Sequence, residues 1–240
     1  MTPEEAGSAL RGEGLVRLAP GEARSLLDPA GTALSGAAWD RFVATWDDLR
    51  EDAFMADRGR YRLRRHAVFS AGGDGTGFDR KADQPHYQAL EHNPLNGGVA
   101  RRFAPVEAGD GPALRAVMAG ALGTFAPLSP PGTRWRVEVH QFRILARGGE
   151  AGKPTPEGMH RDGVDWVLVS LVGRANVEGG VTAVSGTGGG AAHSFTLADP
   201  LDTVLLDDRR VRHGVTPVVP LDPSLPGHRD VLVVTFAAAA

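Results

Sequence analysis

Two histidines and one aspartate have the types and the spacing of a metal site. His160 and Asp162 are two residues apart, and His213 lies on a later segment. Residues i and i+2 of a β-strand point to the same side, so the first two side chains can converge while a neighbouring strand supplies the third. Two imidazoles and one carboxylate leave coordination positions open on a divalent metal, an arrangement that suits non-haem Fe(II). The spacing therefore predicts a metal centre at His160, Asp162 and His213.

An iron centre with open positions can accept a chelating co-substrate such as 2-oxoglutarate and still leave a position for O2. The far carboxylate of that co-substrate needs a fixed cation, and arginine suits it because its planar fork pairs with a carboxylate in bidentate fashion. On the last predicted strand Arg229 and Thr235 share one face, which predicts an inward Arg229 with Thr235 as an extra hydroxyl donor. Three arginines near His213 compete for this role: Arg209, Arg210 and Arg212.

The bulk composition bounds the class of protein. The chain has 240 residues, of which 42% are hydrophobic and 23% charged, with a net charge of −3 and no cysteine. One globular domain is expected over 1–240. The charge argues against nucleic acid or an anionic membrane as partner, and the lack of thiols leaves His, Asp and Glu as metal ligands. The N-terminus has no signal-peptide pattern, so a cytoplasmic location is expected.

The hydrophobic pattern divides the chain into a mostly helical front, 1–130, and a β-rich back, 131–240. In the front, Ser35 caps a predicted helix whose apolar positions recur to Ala53, and Asp110 caps a second one. In the back the period changes toward two. The predicted strands are 134–145, 166–174, 180–185, 194–197, 203–207, 211–219 and 229–236. Many short strands with turns between them predict an all-β sandwich or jelly roll.

Two further segments have a less specific pattern. The glycine-rich stretch 71–77 lacks the Gly-Lys-Ser/Thr ending of a phosphate loop, so we reject a nucleotide site there. The stretch 61–70 contains a strand in which arginines and a histidine alternate with apolar residues. A solvated face is its simplest interpretation, and a carboxylate-binding role is the alternative.

Three segments around these residues resemble a known family. The stretches 154–180, 201–218 and 228–236 carry the motifs HRDG, RHGV and RDV, and they resemble bacterial 2-oxoglutarate/Fe(II) dioxygenases that include free L-isoleucine 4-hydroxylases. YRLRR (61–65), HYQALEHNPLNGG (86–98) and HQFRI (140–144) also look like segments of that family. The resemblance spans roughly 60–236.

The resemblance implies a mainly β, α+β protein: a double-stranded β-helix (jelly roll, cupin-like) with flanking N-terminal helices. His160, Asp162 and His213 would bind Fe(II), and Arg229 would bind 2-oxoglutarate. The implied reaction uses O2 to hydroxylate an aliphatic C–H, or oxidise a sulfur, of a free L-amino acid or a related small metabolite, and yields succinate. Candidate partners for an amino acid's charged groups are Arg143, Glu157 and Asp165, and Asp207 or Asp208 is a candidate for orienting a ligand histidine.

Two other readings stay open at this point. A hydrolase or isomerase using Zn or Mn could use the same three ligands, since divalent metals overlap in ligand preference. A catalytically silent binding module could retain the fold. The sequence leaves the identity of the substrate and the oligomeric state open, a homodimer included.

Overall fold

The chain folds into a few helices and many strands. The structure, a computed structural model, describes residues 1–72, 77–107, 111–189 and 192–239. In these ranges the α-helices are α1 (Pro3–Glu13), α2 (Pro20–Leu27), α3 (Gly36–Ala44) and α4 (Pro112–Phe125). The strands are β1 (Leu15–Leu18), β2 (Arg50–Glu51), β3 (Arg62–Ala71), β4 (Phe78–Arg80), β5 (Trp135–Ala146), β6 (Trp166–Ala175), β7 (Val177–Gly179), β8 (Val181–Gly186), β9 (Ala192–Thr196), β10 (Thr203–Asp207), β11 (Val211–Val215), β12 (Val218–Pro220) and β13 (Gly227–Ala238).

Helix α4 forms as its apolar spacing predicts. Pro112 lies in its first turn, where a missing backbone N–H costs nothing. The five residues predicted to point inward are all buried: Leu114, Val117, Met118, Ala121 and Leu122. The predicted cap Asp110 lies outside the described residues, as does most of the glycine-rich stretch 71–77.

Helix α3 is shorter than its apolar spacing predicts. It ends at Ala44, a 3-10 turn follows over Thr45–Asp48, and the prediction of a helix reaching Ala53 is wrong. Trp46 turns inward and donates from Nε1 to the carbonyl of Phe142 at 3.0 Å. The carbonyl of Asp48 accepts hydrogen bonds from the Arg65 guanidinium at 2.9 and 3.1 Å. These bonds tie the segment to the sheet and prevent another helical turn.

A large antiparallel sheet organises the molecule. Its strand order is β1-β10-β6-β13-β5-β3-β2, with β4 on β3. The division into a helical front and a β back therefore needs correction, because β3 comes from the front and pairs with β5 over ten residues. One face of the sheet packs against α1, α2 and α4 in the main hydrophobic core. None of the helices in the described ranges is long and apolar enough to cross a bilayer.

Two small sheets cover part of the opposite face, β11-β8-β9 and β12-β7. Val184 and Val211 of the first pack against Val167 and Leu206 of the main sheet. Val177 of the second packs against Ala146 of β5 in another buried cluster. The predicted mainly β jelly roll with flanking helices is confirmed, and its two layers enclose a cavity.

Candidate functional site

Alternate residues of β3, β5 and β13 form one wall of a cavity of about 460 Å³. Paired residues on adjacent strands point to the same side of a sheet, so the register gives the order of the wall. From one end the rows are Arg62–Ile144–Arg229, Arg64–Phe142–Val231, His66–His140–Val233 and Val68–Glu138–Thr235, and all of these residues except His66 and Val68 line the cavity. An aliphatic strip along β13 is therefore bordered by charged and histidine side chains.

The structure brings His160, Asp162 and His213 together at the opposite wall. His160 lies outside the strands but pairs with His213 of β11 through two backbone hydrogen bonds of 2.9 Å. Their ring centroids are 4.5 Å apart. One Asp162 oxygen lies 3.6 Å from Nε2 of His160, and the other lies 3.6 Å from Nε2 of His213. The three ligand atoms thus converge on one point, as the H-x-D spacing predicts.

Asp208 holds the loop that carries Asp162. Its fully buried carboxylate accepts backbone hydrogen bonds from Asp162 at 2.9 Å, Gly163 at 2.8 Å and Val164 at 3.1 Å. Gly163 has φ +81°, and a Cβ there would lie 2.3 Å from the ring of His92, so only glycine fits. The prediction that Asp208 orients a ligand histidine is wrong, because its carboxylate positions the loop that carries Asp162.

The charges around the triad favour a bound cation. Burial disfavours charge on His160, but the adjacent negative charge of Asp162 outweighs this and raises the pKa of His160 to about 9. Burial and the charge of His160 lower the pKa of His213 to about 4. Burial and the charge of Asp162 raise the pKa of Asp208. The carboxylates of Asp162 and Asp208 lie near each other, and a divalent cation would balance their negative charge.

The donor set fits Fe(II). Both 3.6 Å separations exceed a hydrogen bond, so no direct bond closes the space between the ligand atoms. Two imidazoles and one carboxylate on one side leave further positions for small ligands.

Arg229 points into the cavity as predicted. It is 2% exposed, and its Nε and Nη2 atoms have no hydrogen-bond partner among the described residues. Burial and the charge of Arg174 lower its pKa to about 10, so the guanidinium keeps its proton at neutral pH. Gly180 approaches it closely, since a Cβ there would lie 3.3 Å from Cδ of Arg229. An unpaired buried cation of this kind needs an anionic ligand.

Thr235 lines the same cavity but at the other end. It lies six residues beyond Arg229 on β13, which is roughly 20 Å at about 3.3 Å per residue. That span exceeds a small dicarboxylate. The prediction that Thr235 assists Arg229 at one carboxylate is therefore wrong.

Of the three predicted substrate contacts, the structure places only Glu157 in the cavity. Glu157 lines the cavity, with one oxygen 3.6 Å from Nε2 of His160 and the other buried without a partner in the described chain. Arg143 lies on the other face of β5 and forms a bidentate pair with Asp230 at 2.7 and 2.8 Å. Asp165 accepts a hydrogen bond from the backbone of Ala238 at 2.7 Å. Neither Arg143 nor Asp165 lines the cavity, so those two predictions are corrected.

The arginines of β3 are buried, so the solvated-face interpretation is wrong. Arg62 and Arg64 line the cavity together with Arg101, which follows the segment 86–98. The i, i+2 spacing of Arg62 and Arg64 indicates their common face. No local pattern marks Arg101, because another part of the chain covers it.

A second polar cluster, also missed from the sequence, surrounds Glu138. The Glu138 carboxylate lies 2.8 Å from Nε2 of His66, 2.8 Å from Nδ1 of His86 and 2.9 Å from Nε of Arg136. Arg64 donates to Nδ1 of His140 at 2.8 Å, which leaves the proton of that ring on Nε2. Although these groups could surround an ion, their hydrogen-bond distances indicate a satisfied carboxylate.

Comparison with known proteins agrees with this geometry. Residues 43–235 match the family described as 2OG-Fe dioxygenase. The crystal structure of a bsmA homolog from Methylobium petroleophilum PM1 has 38% sequence identity and a TM-score of 0.90, and the match covers 100% of this chain and 94% of that one. IDO from Bacillus thuringiensis has the same fold at 18% identity, with a TM-score of 0.78 over 99% of this chain and 100% of that one.

The match to a relative whose name states an activity covers a shorter part of the chain than these structural matches. The 3(1)-hydroxy-L-isoleucine 4-dioxygenase of Pantoea ananatis is 28% identical over 101 residues. This is 42% of the present chain and 40% of that protein, so the match spans less than half of either.

Proposed function

The chain belongs to the 2OG-Fe dioxygenase family, and we propose that it hydroxylates an aliphatic C–H, or oxidises the sulfur, of a free L-amino acid or a closely related small metabolite. Enzymes of this family use Fe(II), 2-oxoglutarate and O2. The observation that carries the proposal is the position of Glu157. This buried carboxylate lies beside the metal triad with one oxygen unpaired among the described residues, and it faces a cavity with an aliphatic wall.

The residues of the chain would position the reactants. His160, Asp162 and His213 would hold Fe(II), and Arg229 would bind the far carboxylate of 2-oxoglutarate. When bound, iron with 2-oxoglutarate and O2 supplies the oxidising chemistry, in which one oxygen atom enters the substrate while 2-oxoglutarate becomes succinate and CO2. The protein contributes orientation and the exclusion of side reactions.

The cavity suits a substrate with an aliphatic side chain and a charged head group. Val169, Val231 and Val233 form an apolar surface, and Glu157 offers a carboxylate to an ammonium group. The segment 86–93 lies over the cavity, and its Gln88 contacts the carbonyl of Asp162 at 3.3 Å. Closure by this segment would limit the access of water. The named activity of the Pantoea relative agrees with such a substrate.

The proposal is tested by succinate formation. Anaerobically purified protein receives Fe(II), ascorbate and 2-oxoglutarate, then air, with and without each member of a panel of L-amino acids. We expect one or a few aliphatic or sulfur-containing amino acids to stimulate succinate formation and to gain one oxygen atom by mass spectrometry. His160→Ala is the inactive control. Turnover that no amino acid stimulates would exclude the free amino acid and retain the dioxygenase.

Arg229→Gln is expected to raise the KM for 2-oxoglutarate by roughly 10- to 100-fold, because hydrogen bonds to a charged group contribute about 1.5–3 kcal/mol each. The kcat at saturating 2-oxoglutarate should change little, since the reacting end of the co-substrate lies elsewhere. Steady-state titration of 2-oxoglutarate at fixed amino acid measures both.

Arg143→Gln is the matched control, because Arg143 is an arginine of the adjacent strand that faces away from the cavity. It should leave both KM values within a few-fold of wild type. An unchanged KM in Arg229→Gln, or an equal rise in both variants, would contradict the assignment of Arg229.

A further inference from the structure

Three arginines line the cavity, and the carboxylate of Asp52, which lies beside two of them, does not balance their positive charge. Arg62 is paired with Asp52 through Nε at 2.8 Å and Nη2 at 2.7 Å. Arg64 reaches the same carboxylate only at 3.6 Å. Arg101 has a neutral partner among the described residues, the side-chain oxygen of Gln88 at 3.5 Å. The pair Arg64 and Arg101 therefore has an excess of positive charge.

Both guanidinium groups are buried, and each has donors to spare. Arg64 is 4% exposed and Arg101 is 2% exposed, and the Nε atom of each lacks a partner in the described chain. The Arg64 guanidinium lies between two rings, with its Cζ atom 3.6 Å from the ring centroid of Phe103 and 4.6 Å from that of Phe142. Burial lowers the pKa of both groups, but arginine keeps its proton in proteins. Buried charges of this kind are stabilised by an anionic partner.

The pair lies close to the metal triad. Gln88 touches Arg101 through its oxygen and Asp162 through its nitrogen, so one side chain separates Arg101 from a metal ligand. Glu157 lies within electrostatic reach of Arg101, yet one of its oxygens remains unpaired among the described residues. An unsatisfied cation and an unsatisfied carboxylate thus both lie in the cavity near the metal triad.

This anion site is distinct from Arg229. Arg229 is on β13, whereas Arg64 is on β3, and β5 lies between these strands. Two strand spacings separate the backbones by roughly 10 Å. The cavity therefore offers two cationic positions, one for a co-substrate and one for a second carboxylate.

We propose that Arg64 and Arg101 bind the carboxylate of the substrate itself, while Glu157 binds its ammonium group. The inference rests on the proposed function and narrows it. The enzyme would require a free carboxylate and would reject the same amino acid as an amide, an ester or a carrier-bound thioester. A blocked carboxylate would leave two buried guanidinium groups unpaired.

The first experiment uses the wild-type enzyme and the best amino acid of the panel. The free acid, its primary amide and its methyl ester are compared by kcat/KM and by calorimetric binding to protein loaded with Mn(II) and 2-oxoglutarate without O2. We expect the amide and the ester to lose at least about 100-fold in both measurements. Equal use of acid and amide would overturn the inference while leaving the proposed function intact.

The second experiment assigns the residue. Arg101→Gln should raise the KM and the Kd for the amino acid by roughly 10- to 100-fold and leave the KM for 2-oxoglutarate unchanged. Arg101→Lys should restore only part of the affinity, because an ammonium lacks the planar fork. Arg102→Gln, a change at the exposed neighbouring position, is the matched control and should resemble wild type.

Two outcomes would overturn the assignment. One is a rise in the KM for 2-oxoglutarate alone, which would make the arginine pair the co-substrate site. The other is an unchanged Kd for the amino acid in Arg101→Gln. If that variant does not fold, the acid, amide and ester series on the wild type still decides the inference. A panel in which no amino acid stimulates turnover would instead reject the proposed function.

Discussion

Replacement of His213 by alanine is expected to abolish metal-dependent succinate formation while the protein stays folded. The imidazole is one of three groups that converge on the metal position, and its backbone bonds to His160 do not need the side chain. Loss of a direct ligand should weaken metal binding by more than the roughly 10- to 100-fold that follows loss of an outer partner.

A readout independent of activity is the thermal shift on metal addition. Metal at about 100 times its Kd stabilises the native state by about 2.7 kcal/mol, which is about 5–10 °C for a domain of this size. His213→Ala should lose this shift. Arg212→Ala is the matched control, because it changes the exposed neighbour on the same strand and should retain the shift. A full metal-induced shift in His213→Ala would rule out its role as a ligand.

Asp208→Asn is expected to damage the metal site without touching a ligand. One carboxylate receives three backbone N–H groups of the loop that carries Asp162, and the amide replaces one acceptor oxygen by a donor. Unsatisfied buried N–H groups should lower the free energy of unfolding by about 2–4 kcal/mol. Metal affinity should fall by roughly 10- to 100-fold because the loop no longer holds Asp162 in place. Urea denaturation and metal titration measure the two effects.

Asp207→Asn is the control for this prediction. Asp207 precedes Asp208, but its carboxylate pairs with the partly exposed Arg209. We expect the metal affinity of this variant to stay within a few-fold of wild type. Equal metal affinity in Asp208→Asn and wild type would show that the loop holds its position without the carboxylate.

The metal triad could be predicted from sequence because the alternation of side chains along extended backbone is local, although His160 itself lies outside the strands. The H-x-D spacing requires only that two residues of an extended segment share a side, and the separate His213 falls in a strand pattern of its own. Arg229 follows from the same alternation on β13. Its distance from Thr235 could also have been predicted, since six extended residues span far more than a small dicarboxylate.

The arginine pair could not be predicted in this way. Burial of Arg64 depends on the segment that brings Arg101 and Phe103 over β3, and this contact joins distant parts of the chain. The length of α3 is likewise decided by bonds from Trp46 and Asp48 to strands that fold elsewhere. Local propensity contains neither contact.

The sequence by itself determined the period of each strand, the ligand types and their order along the chain. Only the tertiary structure decided which face of β5 meets the cavity. Both faces of that strand are largely buried, with Trp135, Val137 and Val139 against the helices and Glu138 and His140 toward the cavity. Alternation therefore separates two sets of residues without saying which set binds a ligand. Arg143 falls in the first set, so its charge pairs with Asp230 on the helix side of the sheet.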